Sequence, residues 1–235
     1  MSNMRFDIIT IFPNIFDSYF GTSILKRAQE KKIVEIQVHN LRDFAIDKRG
    51  TIDGRPYGGG AGMVMMAQPI LDAVQKVTSD KRQATRKTKI IVLSAKGKQF
   101  NQKLAHDWSK KYDQLILISG RYEGIDERVK KILKAEEISM GPYVLTDGEV
   151  PAMAIVSSVT RLLPGTIKLE SLAEESHWNL LLKKETLRQA QGKKGGLEYP
   201  HYTRPEILEY KDKKYKVPPV LLSGHHQKIE KWRKK

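Results

Sequence analysis

The sequence predicts an α/β fold with a mostly parallel sheet, followed by a small, mostly helical basic C-terminal domain. Short apolar runs alternate with longer amphipathic stretches through the first 165 residues, the pattern of strands joined by crossover helices. Several of these runs are rich in Ile, Val and Leu without alternation, as strands covered on both faces require. The charge is uneven as well: of a net +15 over 235 residues, +9 falls on residues 181–235.

Strands are expected at residues 6–11, 34–39, 90–93 and 115–118. Amphipathic stretches place helices at 13–20, 22–31, 69–77, 98–111 and 126–133, the last with Asp126 suited to cap it. Another helix is expected over 151–163, where Ala152, Ile155, Val156, Val159 and Leu163 share one stripe and Pro164-Gly165 stop it. Residues 81–89 read as an exposed charged loop. The texture then changes. Residues 166–196 form a linker with weak periodicity, partly helical over 178–191, and residues 197–235 form the small basic domain, ending in a helix over 225–235.

Composition removes several classes of function. With no cysteine there is no disulfide framework, no Cys-ligated zinc or iron–sulfur site and no thiol nucleophile, and a reducing cytoplasm fits. Asp7 interrupts the N-terminal apolar run and no small-residue cleavage site follows, so no signal peptide is expected. No apolar run approaches the ~20 residues of a membrane span. The strong positive charge favours a polyanionic partner such as nucleic acid.

Four loops concentrate glycine. In residues 53–63, four glycines (Gly58, Gly59, Gly60, Gly62) fall within five positions, which no helix or strand interior tolerates and which suits a close approach of backbone to backbone or ligand. It is neither a P-loop nor a dinucleotide fingerprint, since no Gly-Lys-Ser/Thr and no G-x-G-x-x-G occurs. The others are 93–97, 119–126 and 140–151, and the first two directly follow expected strands. Ligands of open α/β sheets sit outside the carboxyl ends of strands, so these loops suggest a site built from backbone groups, as an adenosine-bearing cofactor needs. The histidines His39, His106, His177, His201, His225 and His226 have no metal-ligand spacing, and surface or hydrogen-bonded core positions suit them better. No G-x-S-x-G elbow occurs.

Eight strings in order, FDIITIFPNIF (6–16), HNLRDFA (39–45), RPYGGGAGM (55–63), SGRYEGIDERV (119–129), YVLTDGEVPAM (143–153), SSVTRLLPG (157–165), YPHYTRPE (199–206) and VLLSGHHQKIEKWR (220–233), resemble the bacterial tRNA (guanine-N1)-methyltransferase family TrmD, of the trefoil-knotted SPOUT class. The resemblance implies a homodimer with its active site at the subunit interface. A knotted domain over residues 1–165 would bind S-adenosylmethionine, and the C-terminal domain would grip tRNA. The methyl would go to N1 of the guanosine immediately 3′ of the anticodon, position 37.

By that resemblance the cofactor is held by Val92, Leu93, Ser94 and Ala95, by Gly120, Tyr122, Glu123, Gly124 and Ile125, and by Ser139, Met140, Gly141, Pro142, Tyr143, Val144, Leu145, Gly148 and Pro151. The chemistry asks for a base at N1 and a cation or donor at O6. The family pattern gives the cation role to Arg161 and the base to Glu175, with Glu174 its competitor. A divalent cation such as Mg is allowed by the resemblance without being required by the sequence. Asp147 stands where the family has Gly, which puts cofactor approach there in question. A non-catalytic basic RNA-binding protein, or a SPOUT methyltransferase acting on ribosomal RNA, are the alternatives the charge leaves open.

Overall fold

The computed structural model describes residues 3–79, 86–168, 171 and 200–233. The chain divides into two compact units, Met1–Ile167 and Lys168–Lys235.

The first unit is built on a five-stranded parallel sheet. Its strands are β1 (Met4–Thr10), β2 (Val34–Asn40), β5 (Thr88–Gln99), β6 (Gln114–Ser119) and β7 (Glu136–Ser139), in the order β2-β1-β6-β5-β7. Two further short strands, β3 (Asp53–Gly54) and β4 (Val64–Met65), form an antiparallel pair that flanks the Gly-rich segment. The helices are α1 (Asp17–Phe20), α2 (Ser23–Glu30), α3 (Ala67–Thr78), α4 (Gln102–Lys111), α5 (Glu127–Leu133) and α6 (Glu149–Arg161).

β6 shows why the sheet lies at the centre. All six of its residues are buried. Leu115 and Leu117 face one apolar cluster, with Trp108 of α4 and Ala152, Ile155, Val156 and Val159 of α6. Ile116 and Ile118 face the other, with Ile70, Ala73 and Val74 of α3 and Val129 of α5. A strand of period two between two apolar layers has no polar face, which is the continuous Ile/Leu run of the sequence.

The expected strands and helices of this unit are present, with corrections at their ends. Residues 98–99 are not helical: Lys98 and Gln99 continue β5 and pair with Ile138 and Ser139, after a register shift between Leu93 and Lys98. Gly97 permits the close approach, since a Cβ there would lie 2.5 Å from the Glu137 backbone. The helix then opens at Gln102, capped by Asn101, whose side-chain oxygen accepts from the Leu104 amide at 3.0 Å. Residues 13–16 are a 3-10 turn rather than α-helix. α6 opens at Glu149, two residues earlier than the stripe suggests. β7 was not expected, because Ile138 is the only apolar residue of an edge strand that carries Glu136 and Glu137.

One buried polar network sits inside this sheet. The fully buried Asp7 of β1 accepts from Nε and Nη2 of Arg5, each at 2.8 Å, meets His39 Nε2 at 2.8 Å, and accepts from Gln114 at 2.7 Å. Burial alone would push this carboxyl up, but the bonds from His39, Arg5 and Gln114 outweigh it and hold the pKa below the ordinary carboxylate value.

In the second unit, the described residues hold an antiparallel hairpin, β8 (Ile207–Tyr210) and β9 (Lys213–Lys216), then α7 (Pro219–Leu222) and α8 (His226–Arg233). The hairpin corrects the mostly helical reading. Its turn places Lys211 and Asp212 at φ 48° and 59°, the paired left-handed residues of a two-residue hairpin turn, which Lys-Asp does not advertise as Asn-Gly would. The Tyr202 and Trp232 rings lie 6.2 Å apart. The helical stretch expected over 178–191, together with Glu174, Glu175 and His177, lies outside the described residues. Among the described residues no helix is long and apolar enough to cross a membrane.

Candidate active site

The irregular middle of β5 and the C-terminal ends of β6 and β7 open onto one cavity of about 390 Å³. Three loops line it: residues 94–96 within the irregular part of β5, residues 120–126 after β6, and residues 140–148 before α6. Glycine lets these loops touch. A Cβ on Gly120 would lie 2.8 Å from the Leu93 carbonyl, and one on Gly148 would lie 2.6 Å from the Gly120 nitrogen. The Gly148 amide donates to the Gly120 carbonyl at 3.0 Å.

The Gly-rich segment is fastened to the second loop. The Glu123 amide donates to the Met63 carbonyl at 3.0 Å, the Met65 amide to the Gly124 carbonyl at 2.9 Å, and the Asp126 amide to the Met65 carbonyl at 3.0 Å. Gly62 lies against the Glu123 carboxylate, where any Cβ would overlap it. Gly58, Gly59 and Gly60 all have positive φ, which side-chain-bearing residues rarely adopt.

A polar cluster closes one end of the cavity. Arg121 lies with its guanidinium 4.5 Å from the centre of the Phe12 ring, donates to the fully buried Glu149 at 3.3 Å and stands 3.7 Å from Asp147. Glu149 also accepts from the Thr10 hydroxyl at 2.6 Å. Arg121 further lines an outer groove with Phe12, Pro13, Ile15 and Asn40.

This arrangement joins an end-to-end sequence match, since the family model for tRNA (guanine-1)-methyltransferase TrmD matches residues 4–235. The chain belongs to the TrmD family. It is 49% identical over 234 residues to a tRNA (guanine-N(1)-)-methyltransferase of Dictyoglomus turgidum, covering 99% of this chain and 84% of that one. A protein of the same description from Thermomicrobium roseum is 48% identical over 231 residues, covering 98% and 78% of the two chains. The crystal structure of tRNA (m1G37) methyltransferase from Aquifex aeolicus superimposes with a TM-score of 0.74 at 37% identity, covering 99% of this chain and 88% of that one.

The cavity of this TrmD family member gathers the residues expected to hold a cofactor. All of them line it except Gly141 and Pro142. Gly141 is buried under the Tyr143 ring, and Pro142 is exposed. Lys96, Arg121, Asp126, Thr146 and Asp147 of the loops marked in the sequence, with Glu127, Lys130, Glu137 and Ile138 outside them, complete the lining, and sequence reasoning named none of the nine as a cofactor-holding residue. Most of these are charged residues inside or beside the quoted strings, where a search for backbone approach passes over them.

The lining holds more acid than base: Glu123, Asp126, Glu127, Glu137 and Asp147 against Lys96, Arg121 and Lys130. In a chain of net +15 this local reversal favours a cationic or neutral ligand over a polyphosphate. Asp126 is fixed by Arg128 at 2.6 Å, which holds its carboxyl below the ordinary range. Glu127 and Glu137 share Lys130, at 2.5 and 2.8 Å. Glu123 has no ion-pair partner among the described residues, and it is exposed at the cavity.

Arg161 is the last residue of α6 and does not line the cavity. Ten residues of helix separate it from Pro151, about 15 Å at the α-helical rise. Glu175 lies outside the described residues, so the two expected catalytic groups are not brought together by them. Among the described residues no group of three or more His, Asp or Glu could hold a metal ion.

Proposed function

We propose that this chain transfers a methyl group from S-adenosylmethionine to N1 of the guanosine immediately 3′ of the anticodon, position 37, in tRNA. The observation that carries this is the end-to-end TrmD match, which lays the family's loop strings on the walls of one cavity. The cavity suits the cofactor on its own terms. Its volume lies in the range of small-ligand sites, and its acidic lining complements a sulfonium.

When bound, S-adenosylmethionine supplies an electrophilic methyl group on its sulfonium centre. The irregular part of β5 and the loops after β6 and β7 hold it, largely through backbone groups, with Glu123 as the carboxylate left to face its charge. Guanine N1 carries a proton at neutral pH, so a base has to take that proton as N1 becomes a nucleophile. We assign this to the Glu175 carboxylate, with Glu174 as the competing register. Negative charge that develops on O6 is met by the Arg161 guanidinium.

The distance of Arg161 from the cavity along α6 supports a homodimer, in which each active site is completed by the paired subunit. Residues 140–148 return across Gly120 after β7 has paired on the far side of β5, the course that a trefoil knot needs. We assign residues 1–165 to cofactor binding, 166–196 to the linker and 197–235 to tRNA. A cytoplasmic setting fits a tRNA substrate.

The test is methyl incorporation from labelled S-adenosylmethionine into tRNA with guanosine after the anticodon, followed by mapping of the modified base. Methylated N1 at that position is expected. Incorporation into ribosomal RNA instead would move the substrate, and RNA binding with no response to S-adenosylmethionine would leave only a basic RNA-binding protein.

A further inference from the structure

Residues 140–148 form an arch that lines the cavity, yet its crown is exposed: Tyr143, Val144 and Leu145 are 55%, 84% and 38% accessible. Two feet hold it. At the first, the Ser139 hydroxyl donates to the Gly141 carbonyl at 2.9 Å and accepts from the Gly141 amide at 3.2 Å. At the second stands Asp147. One of its carboxylate oxygens accepts from the Glu149 and Val150 amides at 3.0 and 3.1 Å, first-turn donors of α6 that have no acceptor within the helix. The other accepts from the Thr146 hydroxyl at 2.9 Å and lies 3.7 Å from Arg121. Partial burial pushes this carboxyl up. The Val150 amide, Thr146, Arg121 and the Glu149 amide together outweigh that and hold its pKa below the ordinary carboxylate value.

The contacts on Arg121 extend this foot to two other loops, because the same guanidinium packs on Phe12 and reaches the Glu149–Thr10 pair. One carboxylate thus ties the arch to the ends of β1 and β6. We propose that Asp147 is a positioning residue for the cofactor, holding the arch and Arg121 in the binding-ready shape before the cofactor arrives. This rests on the reading of the cavity as the S-adenosylmethionine site. Without the carboxylate, the arch keeps the Gly148–Gly120 bond at that foot but loses the tie to α6 and Arg121, so its backbone has to be ordered on binding. The loss falls on cofactor affinity and not on the chemical step.

The experiment compares the full-length wild type with Asp147→Gly, Asp147→Asn and Gln75→Gly. It uses calorimetric titration of S-adenosylmethionine, steady-state methylation and thermal unfolding. Asp147→Gly is expected to raise the cofactor Kd about tenfold or more while kcat at saturating cofactor stays within about twofold. Asp147→Asn keeps the amide-accepting oxygen and is expected to recover affinity to within about threefold of wild type. Gln75 is exposed in the middle of α3, so Gln75→Gly lowers thermal stability through helix propensity alone and is expected to leave the Kd unchanged. Wild-type affinity in Asp147→Gly, a fall in kcat at unchanged Kd, or an equal rise in Kd for Gln75→Gly would each overturn the proposal. A wild type that fails to bind S-adenosylmethionine would instead remove the cofactor reading of the cavity.

Discussion

The amide of Gly148 donates to the carbonyl of Gly120 at 3.0 Å, joining the segment that enters α6 to the loop that leaves β6. The approach is so close that a methyl group on Gly148 would lie 2.6 Å from the Gly120 nitrogen and 2.7 Å from the Ser119 Cα. Both neighbours are backbone at the end of a fully buried strand and cannot rotate away. Gly148→Ala should therefore destabilise by about 1–3 kcal/mol, as overpacking does, and should weaken S-adenosylmethionine binding by opening two cavity walls. Urea unfolding and calorimetry on the same preparation check it. An unchanged midpoint would mean that the arch is free to lift.

The sheet and the site were legible in the sequence to different depths. Ile116 and Ile118 announce a buried strand, and the apolar stripe of α6 places that helix against the sheet, because burial writes itself into periodicity. β7 left no such trace, since Glu136 and Glu137 stand on an edge where polar side chains reach water and lysine. Glycines marked where loops approach one another, and the family strings pointed to the loops that line the cavity. Arg121, Asp147 and Glu149 were not legible as a cluster. Their meeting depends on strands β1 and β6 being neighbours, a long-range fact that neither spacing nor propensity carries.

Asp7 should govern acid stability. The Asp7 carboxyl is held below its ordinary value in the fold, so its contribution is fully present above the unfolded-state pKa of roughly 3.9 and is lost as pH falls through the folded value. Asp7→Asn leaves the Arg5 guanidinium without its buried counter-charge and should destabilise by about 3 kcal/mol at pH 7. Denaturant unfolding of both proteins at several pH values tests the sign. The gap between them should narrow below about pH 4, and a gap that widens there would reverse the assignment.

Glu175→Gln removes the proposed base and leaves the described lining of the cavity untouched. Cofactor affinity should hold while kcat falls by about 10²–10⁴-fold, the usual range for a general acid–base group. Glu174→Gln is the companion variant: if it is the crippling change and Glu175→Gln is mild, the base sits one residue earlier. Arg161→Ala should lower kcat more than it raises the cofactor Kd, because Arg161 stands outside the cavity lining. Equal losses in both would move Arg161 from the O6 charge to binding.

The hairpin of the second unit should contribute to the electrostatics of tRNA binding. Lys211, Lys213, Lys214 and Lys216 are all exposed, and among the described residues only Lys214 has a carboxylate at close range, Glu209 at 2.9 Å. Lysines that touch phosphates release counterions on binding, and each such contact steepens the fall of affinity with salt by roughly 0.7–0.9 in a log–log plot. Replacing Lys211, Lys213 and Lys216 together by Ala should flatten that slope by about 2 and weaken binding most at low salt. Cofactor affinity should not change, since every described residue that lines the cavity belongs to the first unit. Filter binding of tRNA across a salt series measures the slope directly. Parallel lines for wild type and variant would show that this hairpin does not meet phosphate, and the charge of the C-terminal unit would then have to act through its helices.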